Sequence, residues 1–152
     1  MFTMHPIGYV RSGYTETKQI PRGLDAKHDV EGVIDVLPEL ARGLQDIEGF
    51  SHLIVLWVFD RGEPGDVLEA RPPSDDRPHG VFATRSPQRP NPIGLTVVEL
   101  LHRDGHQLYV RGLDMLDGTP VLDIKPLLTS IPADQIRRGW LGEAEARRRH
   151  QP

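Results

Sequence analysis

The chain has 152 residues and no cysteine. That absence excludes disulfides, thiolate metal sites and cysteine nucleophiles together, and it leaves the redox compartment undetermined. No apolar run approaches the roughly 20 residues a membrane-spanning helix needs, and Met1 to Val10 lacks the charged-then-apolar layout of a secretion signal; a cytoplasmic protein without a membrane partner is expected. Net positive charge is absent too. The formal charge is -4, which argues against nonspecific coating of nucleic acid, because such binding rests on many cations releasing counterions. Lysine is scarce, only Lys18, Lys27 and Lys125, so the cationic groups are almost all arginines, suited to bidentate contact with carboxylate or phosphate. There is no glycine-rich dinucleotide fingerprint, no phosphate loop, no Gly-x-Ser-x-Gly elbow and no His-Glu-x-x-His pair. His102 and His106 have the spacing of a helical metal pair, but a hairpin turn between them would point them elsewhere, and no metal site is expected.

What is present is a series of short strands. Residues 5–11 alternate, with Ile7, Tyr9 and Arg11 on one side and Gly8 and Val10 on the other. Residues 12–29 read as a long loop. Residues 31–37 are rich in β-branched side chains, and Pro38 opens a short helix ending near Gly43. Residues 52–59, apolar after His52, predict a strand buried on both faces. Residues 61–80 carry Pro64, Pro72, Pro73 and Pro78 with little apolar periodicity and read as a long mobile loop. Strands are predicted at 81–84 and 93–101, with 106–113 paired to the latter across Asp104-Gly105. Asp117-Gly118 marks a turn before a strand at 121–128. Residues 133–149 have helix-forming composition and end in Arg147, Arg148 and Arg149. The pattern predicts an all-β barrel or sandwich with short helices and a long proline-rich loop, residues 1–132, followed by a helical, basic tail, 133–152.

Two stretches carry candidate chemistry. In residues 80–94, Pro87, Pro90 and Pro92 fix three backbone dihedrals and remove three amide donors. Arg85, Ser86, Arg89 and Asn91 are then displayed from a stiff turn. Either they are solvated turn residues, or their rigidity serves recognition of a carboxylate or phosphate. Arg103, beside the hairpin tip, serves as the contrasting solvated charge. In residues 113–126, Asp123 and Lys125 share one face of an extended chain and Leu122 and Ile124 the other. The pair is either a surface ion pair or a carboxylate that holds a ligand amine or steers a proton. Asp114 is ambiguous, and Asp117 before glycine is ordinary turn chemistry.

Ile7-Gly-Tyr-Val-Arg-Ser12, Glu48-Gly-Phe-Ser-His-Leu53, Gly80-Val-Phe-Ala-Thr-Arg-Ser86, Arg89-Pro-Asn-Pro-Ile-Gly94 and Asp117-Gly-Thr-Pro-Val-Leu-Asp-Ile-Lys-Pro126 occur in an order that resembles the TsaA-like family over about residues 5–130. The resemblance implies a homodimeric β-barrel that binds S-adenosylmethionine and methylates the exocyclic amine of threonylcarbamoyl-adenosine beside the tRNA anticodon. It implies Arg22, Phe59, Asp60, Arg85, Leu95, Leu113 and Asp114 around the cofactor. Arg85, Asn91 and Asp123 are the catalytic candidates, Asp123 as the base if one is needed. The family often has Pro-Arg-Gln where this chain has Pro21-Arg22-Gly23, which removes one side-chain amide. Its better characterised bacterial enzymes carry a further C-terminal domain with no counterpart here. On this reading tRNA recognition falls to the dimer's barrel face and the arginine tail. A noncatalytic S-adenosylmethionine sensor and a small-molecule methyltransferase are the alternatives.

Overall fold

A computed structural model describes residues 1–23, 26–62 and 68–150. The strands are β1 (Gly8–Arg11), β2 (Glu31–Val36), β3 (His52–Val58), β4 (Glu69–Ala70), β5 (His79–Gly80), β6 (Ile93–Asp104), β7 (Gln107–Arg111) and β8 (Pro120–Pro126), and one α-helix, α1 (Gly139–Arg149), follows. Six strands close into an antiparallel barrel in the order β1-β2-β7-β6-β3-β8, with β8 returning to pair with β1. Closure leaves no sheet edge among these strands.

Alternation fills the barrel. Val10, Ile34, Val36, Leu53, Val55, Trp57, Val98, Leu108, Val110 and Val121 are buried in one cluster. Leu44, from the 3-10 helix Pro38–Leu44, and Leu113 with Met115, from the β7–β8 connection, complete it. Gly94 leaves no room for a side chain beside Trp57: a Cβ would lie 2.4 Å from the indole. The β6–β7 hairpin turns through Gly105 and His106, with Gly105 at φ 61° in the first central position, where a glycine-led two-residue turn requires positive φ.

The structure corrects several expectations. β3 is not buried on both faces; Leu53, Val55 and Trp57 point into the core, whereas Ile54, Leu56 and Val58 are half-buried on the barrel's outer wall. Residues 81–84 form no strand. Val81 to Ala83 make a 3-10 turn whose first carbonyl accepts both the amide and the hydroxyl of Thr84. The 61–80 loop contains the β4–β5 pair; its residues 63–67, with Pro64, lie outside the described residues. A register shift opposite Leu56 and Trp57 takes Leu122 out of phase with Ile124, so Val121 and Ile124 both reach the core. Bulges of this kind admit one extra residue.

Arg103 is not a solvated charge either. Its guanidinium donates to Gly105 O (2.7 Å) and Glu48 (3.0 Å) and reaches the carbonyls of Leu44 (3.3 Å) and Ala41 (3.4 Å). Those carbonyls belong to the last turn of the 3-10 helix Pro38–Leu44. The paired histidines diverge as the hairpin requires: His102 stacks on Tyr109, and His106 donates through Nδ1 to Val36 O at 2.8 Å.

The 133–149 segment forms a 3-10 turn, Ala133–Gln135, and then α1, with Gly139 at φ 55° where the helix begins. The helix is docked, not frayed. Ala144 is buried, and Arg147 pairs with Asp75 at 3.1 Å.

Candidate active site at one end of the barrel

Antiparallel pairing brings the ends of β1, β3 and β7 beside the starts of β2, β6 and β8. The three connections that follow, residues 12–30, 59–92 and 112–119, therefore open at one end of the barrel. Arg22, Phe59, Asp60, Arg85, Asn91, Leu113 and Asp114 all lie on them. Leu95 and Asp123 do not. They sit on the outer wall, where Leu56 is the cross-strand partner of both. Two strand spacings separate them, roughly 10 Å.

The proline-stiffened loop is wired by its own side chains. Arg89 Nη1 donates to the carbonyls of Thr84 (3.0 Å) and Ser86 (3.1 Å), and the hydroxyls of Thr84 and Ser86 accept the amides of Ser86 and Gln88. Arg89 is thus spent on holding the loop. Arg85, between the two carbonyls that Arg89 grips, is exposed and has no hydrogen-bond or ion-pair partner among the described residues. A guanidinium displayed from a fixed backbone without an internal acceptor suits an anionic ligand. Asn91 is exposed at the end of the same loop, and Phe59 N donates to Pro92 O at 2.8 Å, joining the loop to the end of β3.

Asp114 is held from inside the barrel. Trp57 Nε1 donates to Thr96 Oγ1 at 3.0 Å, and Thr96 in turn donates to Asp114 Oδ1 at 2.5 Å. Because Thr96 accepts the indole proton, its own proton is free for the carboxylate. The second oxygen of Asp114 has no hydrogen-bond partner among the described residues. Phe59 is half-buried against Trp57, with ring centroids 4.2 Å apart. Arg22 lines an open cavity of about 520 Å³ together with Thr17, Lys18, Ile20 and Pro21. Asp60 lies 3.8 Å from the guanidinium of Arg61, which also donates to Asp117 O. Leu113 is fully buried in the core, so only its backbone can face the barrel mouth. Asp123 pairs with Lys125 at 2.9 Å, the surface ion pair its spacing allowed, and its other oxygen accepts the amide of Ile124.

Sequence reasoning missed Thr96 and Trp57. Thr96 is the one hydroxyl among the inward positions of β6, between Gly94 and Val98, and that was the available signal. It also missed Asp75 and His79. The Asp75 side chain is 2% exposed and is hydrogen-bonded to His79 at 2.9 Å. Chiefly through that bond, its carboxyl is lowered to about 2. Among the described residues no cluster of three or more His, Asp or Glu is arranged to hold a metal ion.

Residues 9–133 match the family described as tRNA-methyltransferase O N-terminal domain. A Pyrococcus abyssi protein named a probable S-adenosyl-L-methionine-binding protein is 45% identical over 142 residues, which cover 93% of this chain and 77% of that one. The Escherichia coli tRNA (adenine(37)-N6)-methyltransferase is 40% identical over 136 residues, 84% of this chain and 58% of that enzyme. A crystal structure of TrmO superposes with a TM-score of 0.72 at 37% identity, covering 90% of this chain and 63% of the other. The chain thus spans somewhat less than two thirds of the tRNA enzymes it resembles.

Proposed function

The chain belongs to the tRNA-methyltransferase O N-terminal domain family, and from that membership we propose that it is an S-adenosylmethionine-dependent methyltransferase acting on tRNA, at the exocyclic amine of threonylcarbamoyl-adenosine beside the anticodon. The observation that carries this reading is the convergence at one barrel end of an unpartnered, rigidly held arginine, Arg85, and an oriented carboxylate, Asp114. Those groups fit the cofactor's chemistry, since its amino-acid part needs a cation for the carboxylate and an acid for the amine. Its adenosyl part needs an apolar wall. When bound, S-adenosylmethionine supplies a methyl group on a cationic sulfur.

Arg85 and Arg22 would hold the carboxylate, Asp114 or Asp60 the amine or ribose, and Phe59 with Leu95 the adenosyl face. Leu113 contributes backbone only. Asn91, at the loop's far end, would orient the acceptor, and Asp123 would take the proton released from nitrogen if that step needs a base. Most of the rate enhancement in such a site comes from holding the acceptor lone pair in line. A tRNA acceptor makes the cytoplasm the place of action, and no helix among the described residues is long and apolar enough to cross a membrane.

The working unit in this reading is a homodimer. Ile93, Leu95 and Val97, 41%, 40% and 41% exposed, lie beside Val58, Leu56 and Ile54 on the outer wall. Six apolar side chains on one wall form a patch of the kind that marks an interaction surface. A second copy covering it would also cover Leu95, linking dimerisation to the cofactor site.

Transfer of a tritiated methyl group into total tRNA, followed by nucleoside analysis, tests the proposal. Label in threonylcarbamoyl-adenosine is the expected result. Cofactor binding by calorimetry without transfer to tRNA would favour the noncatalytic sensor or a small-molecule acceptor. No binding at millimolar cofactor would overturn all three.

A further inference from the structure

The segment that carries Arg85 is anchored at its root by the C-terminal helix. Trp140, at the second position of α1, donates from Nε1 to the carbonyl of Ala83 at 2.8 Å, and its ring stacks on His79 with centroids 4.1 Å apart at 14°. His79 is bonded to Asp75, whose other oxygen accepts from Arg147, about two helical turns beyond Trp140. Arg77 reaches toward Glu143 at 4.0 Å, and Ala144 is buried between these contacts along the helix. The helix therefore touches residues 75–83 at both of its ends and nothing it holds is far from Arg85 in sequence.

The wiring continues toward Arg85. The Ala83 carbonyl is fixed by Trp140, the next carbonyl, Thr84, by Arg89, and the one after Arg85, Ser86, by Arg89 again. The peptide plane before Arg85 is thus set by Arg89 at the Thr84 carbonyl, the plane after it by the Ser86 amide donating to Thr84 Oγ1, and the contact that precedes both comes from α1. Resting on the reading of Arg85 as the cofactor-side arginine, we propose that Trp140 is a positioning residue for Arg85, and that α1 is a clamp that holds the ligand-binding loop in register with the barrel mouth. The helix then acts on cofactor affinity and not only as a carrier of positive charge for RNA.

Two readouts on the full chain test this. The first needs no ligand: amide hydrogen exchange over residues 81–91, where the amides of Thr84, Ser86 and Gln88 are bonded within the loop. Trp140→Ala should raise exchange in that peptide about tenfold or more, while β3 and β6 stay protected and report an intact barrel. Trp140→Phe, which keeps an aromatic ring beside His79 but loses the N–H and the fused five-membered ring, should give a smaller rise. The second readout is S-adenosylmethionine affinity by calorimetry. Trp140→Ala should weaken it roughly tenfold, because a displacement near 1 Å at a binding group has effects of that order or larger, and Trp140→Phe should fall between. In the Arg85→Ala background the same Trp140 substitutions should cost almost nothing, the non-additivity expected when one residue acts through the other. Unchanged exchange in residues 81–91 would overturn the clamp. Raised exchange with undiminished affinity, or losses that add in the double variant, would overturn the link to Arg85. Failure of the unmodified chain to bind cofactor would instead strike the methyltransferase reading, with the exchange result still deciding whether the clamp exists.

Discussion

Thr96 donates its only hydroxyl proton to Asp114, and it is free to do so because it accepts the indole N–H of Trp57. A barrel-core tryptophan and a carboxylate at the barrel mouth are thereby joined through one buried side chain, 6% exposed. Thr96→Val leaves the indole N–H buried without an acceptor and the carboxylate without its donor. The expected loss of stability is about 1–3 kcal/mol by chemical denaturation, with weaker cofactor binding. Thr96→Ser keeps both bonds and should recover most of each. Equal behaviour of the two variants would mean that the hydroxyl does not orient Asp114.

Arg85 and Arg89 should separate cleanly. Arg85→Ala removes no hydrogen bond or ion pair among the described residues, so its unfolding free energy should change by no more than about 0.5 kcal/mol. Its cofactor affinity should fall roughly tenfold to a hundredfold, the scale of a lost charged hydrogen bond. Arg89→Ala frees the carbonyls of Thr84 and Ser86, and should cost about 1 kcal/mol of stability as well as affinity. Arg85→Ala with undiminished affinity would return this loop to a purely structural role.

Arg103→Ala should destabilise the fold by about 1–3 kcal/mol, since it strips donors from the end of the Pro38–Leu44 helix and from Glu48. Arg42→Ala is the matched control, an exposed arginine on the same helix, with an expected change within about 0.5 kcal/mol. Thermal or urea unfolding of the pair checks the contrast.

Val97→Glu places a charge on the apolar outer wall, opposite Ile54. The side chain is exposed in one chain, so the fold should survive. Light scattering should show the unmodified protein as a dimer at micromolar concentration and the variant as a monomer. A monomeric unmodified protein would remove the homodimer from the mechanism.

Asp75 predicts an acid response of the helix clamp. Its carboxyl titrates at about 2 in the fold, below the ordinary 3.8, because His79, the amide of Asp76 and Arg147 favour the ionised form more than burial opposes it. The unfolded chain takes up this proton first as the pH drops. The stabilisation is therefore complete above about pH 4 and is lost as pH falls toward 2. Between those limits, exchange over residues 81–91 should rise more steeply in the unmodified protein than in Asp75→Asn, which has no carboxylate to protonate.

The six barrel strands, the Asp104-Gly105 hairpin, the helix opening at Pro38 and the stiffness of the Arg85 loop were legible in the sequence, whereas the strand expected at 81–84 proved a 3-10 turn and the β4–β5 pair was not foreseen. Each of the legible features depends on side-chain alternation, on glycine at positive φ or on the proline ring, and these act within a few residues. The ordered motifs pointed to the family for a related reason: they are local words whose sequence survives any folding. Tertiary structure alone decided which arginines are spent and which remain available. Arg89, Arg103 and Arg147 look alike in the sequence, yet Arg103 finds carbonyls 59 and 62 residues away and Arg147 finds a carboxylate 72 residues away. The register shifts at Leu101 and Leu122, the return of β8 to β1 and the Trp57-Thr96-Asp114 chain have the same origin. A hydrogen bond is set by separations of about 3 Å, and such distances between remote residues exist only once the barrel has closed.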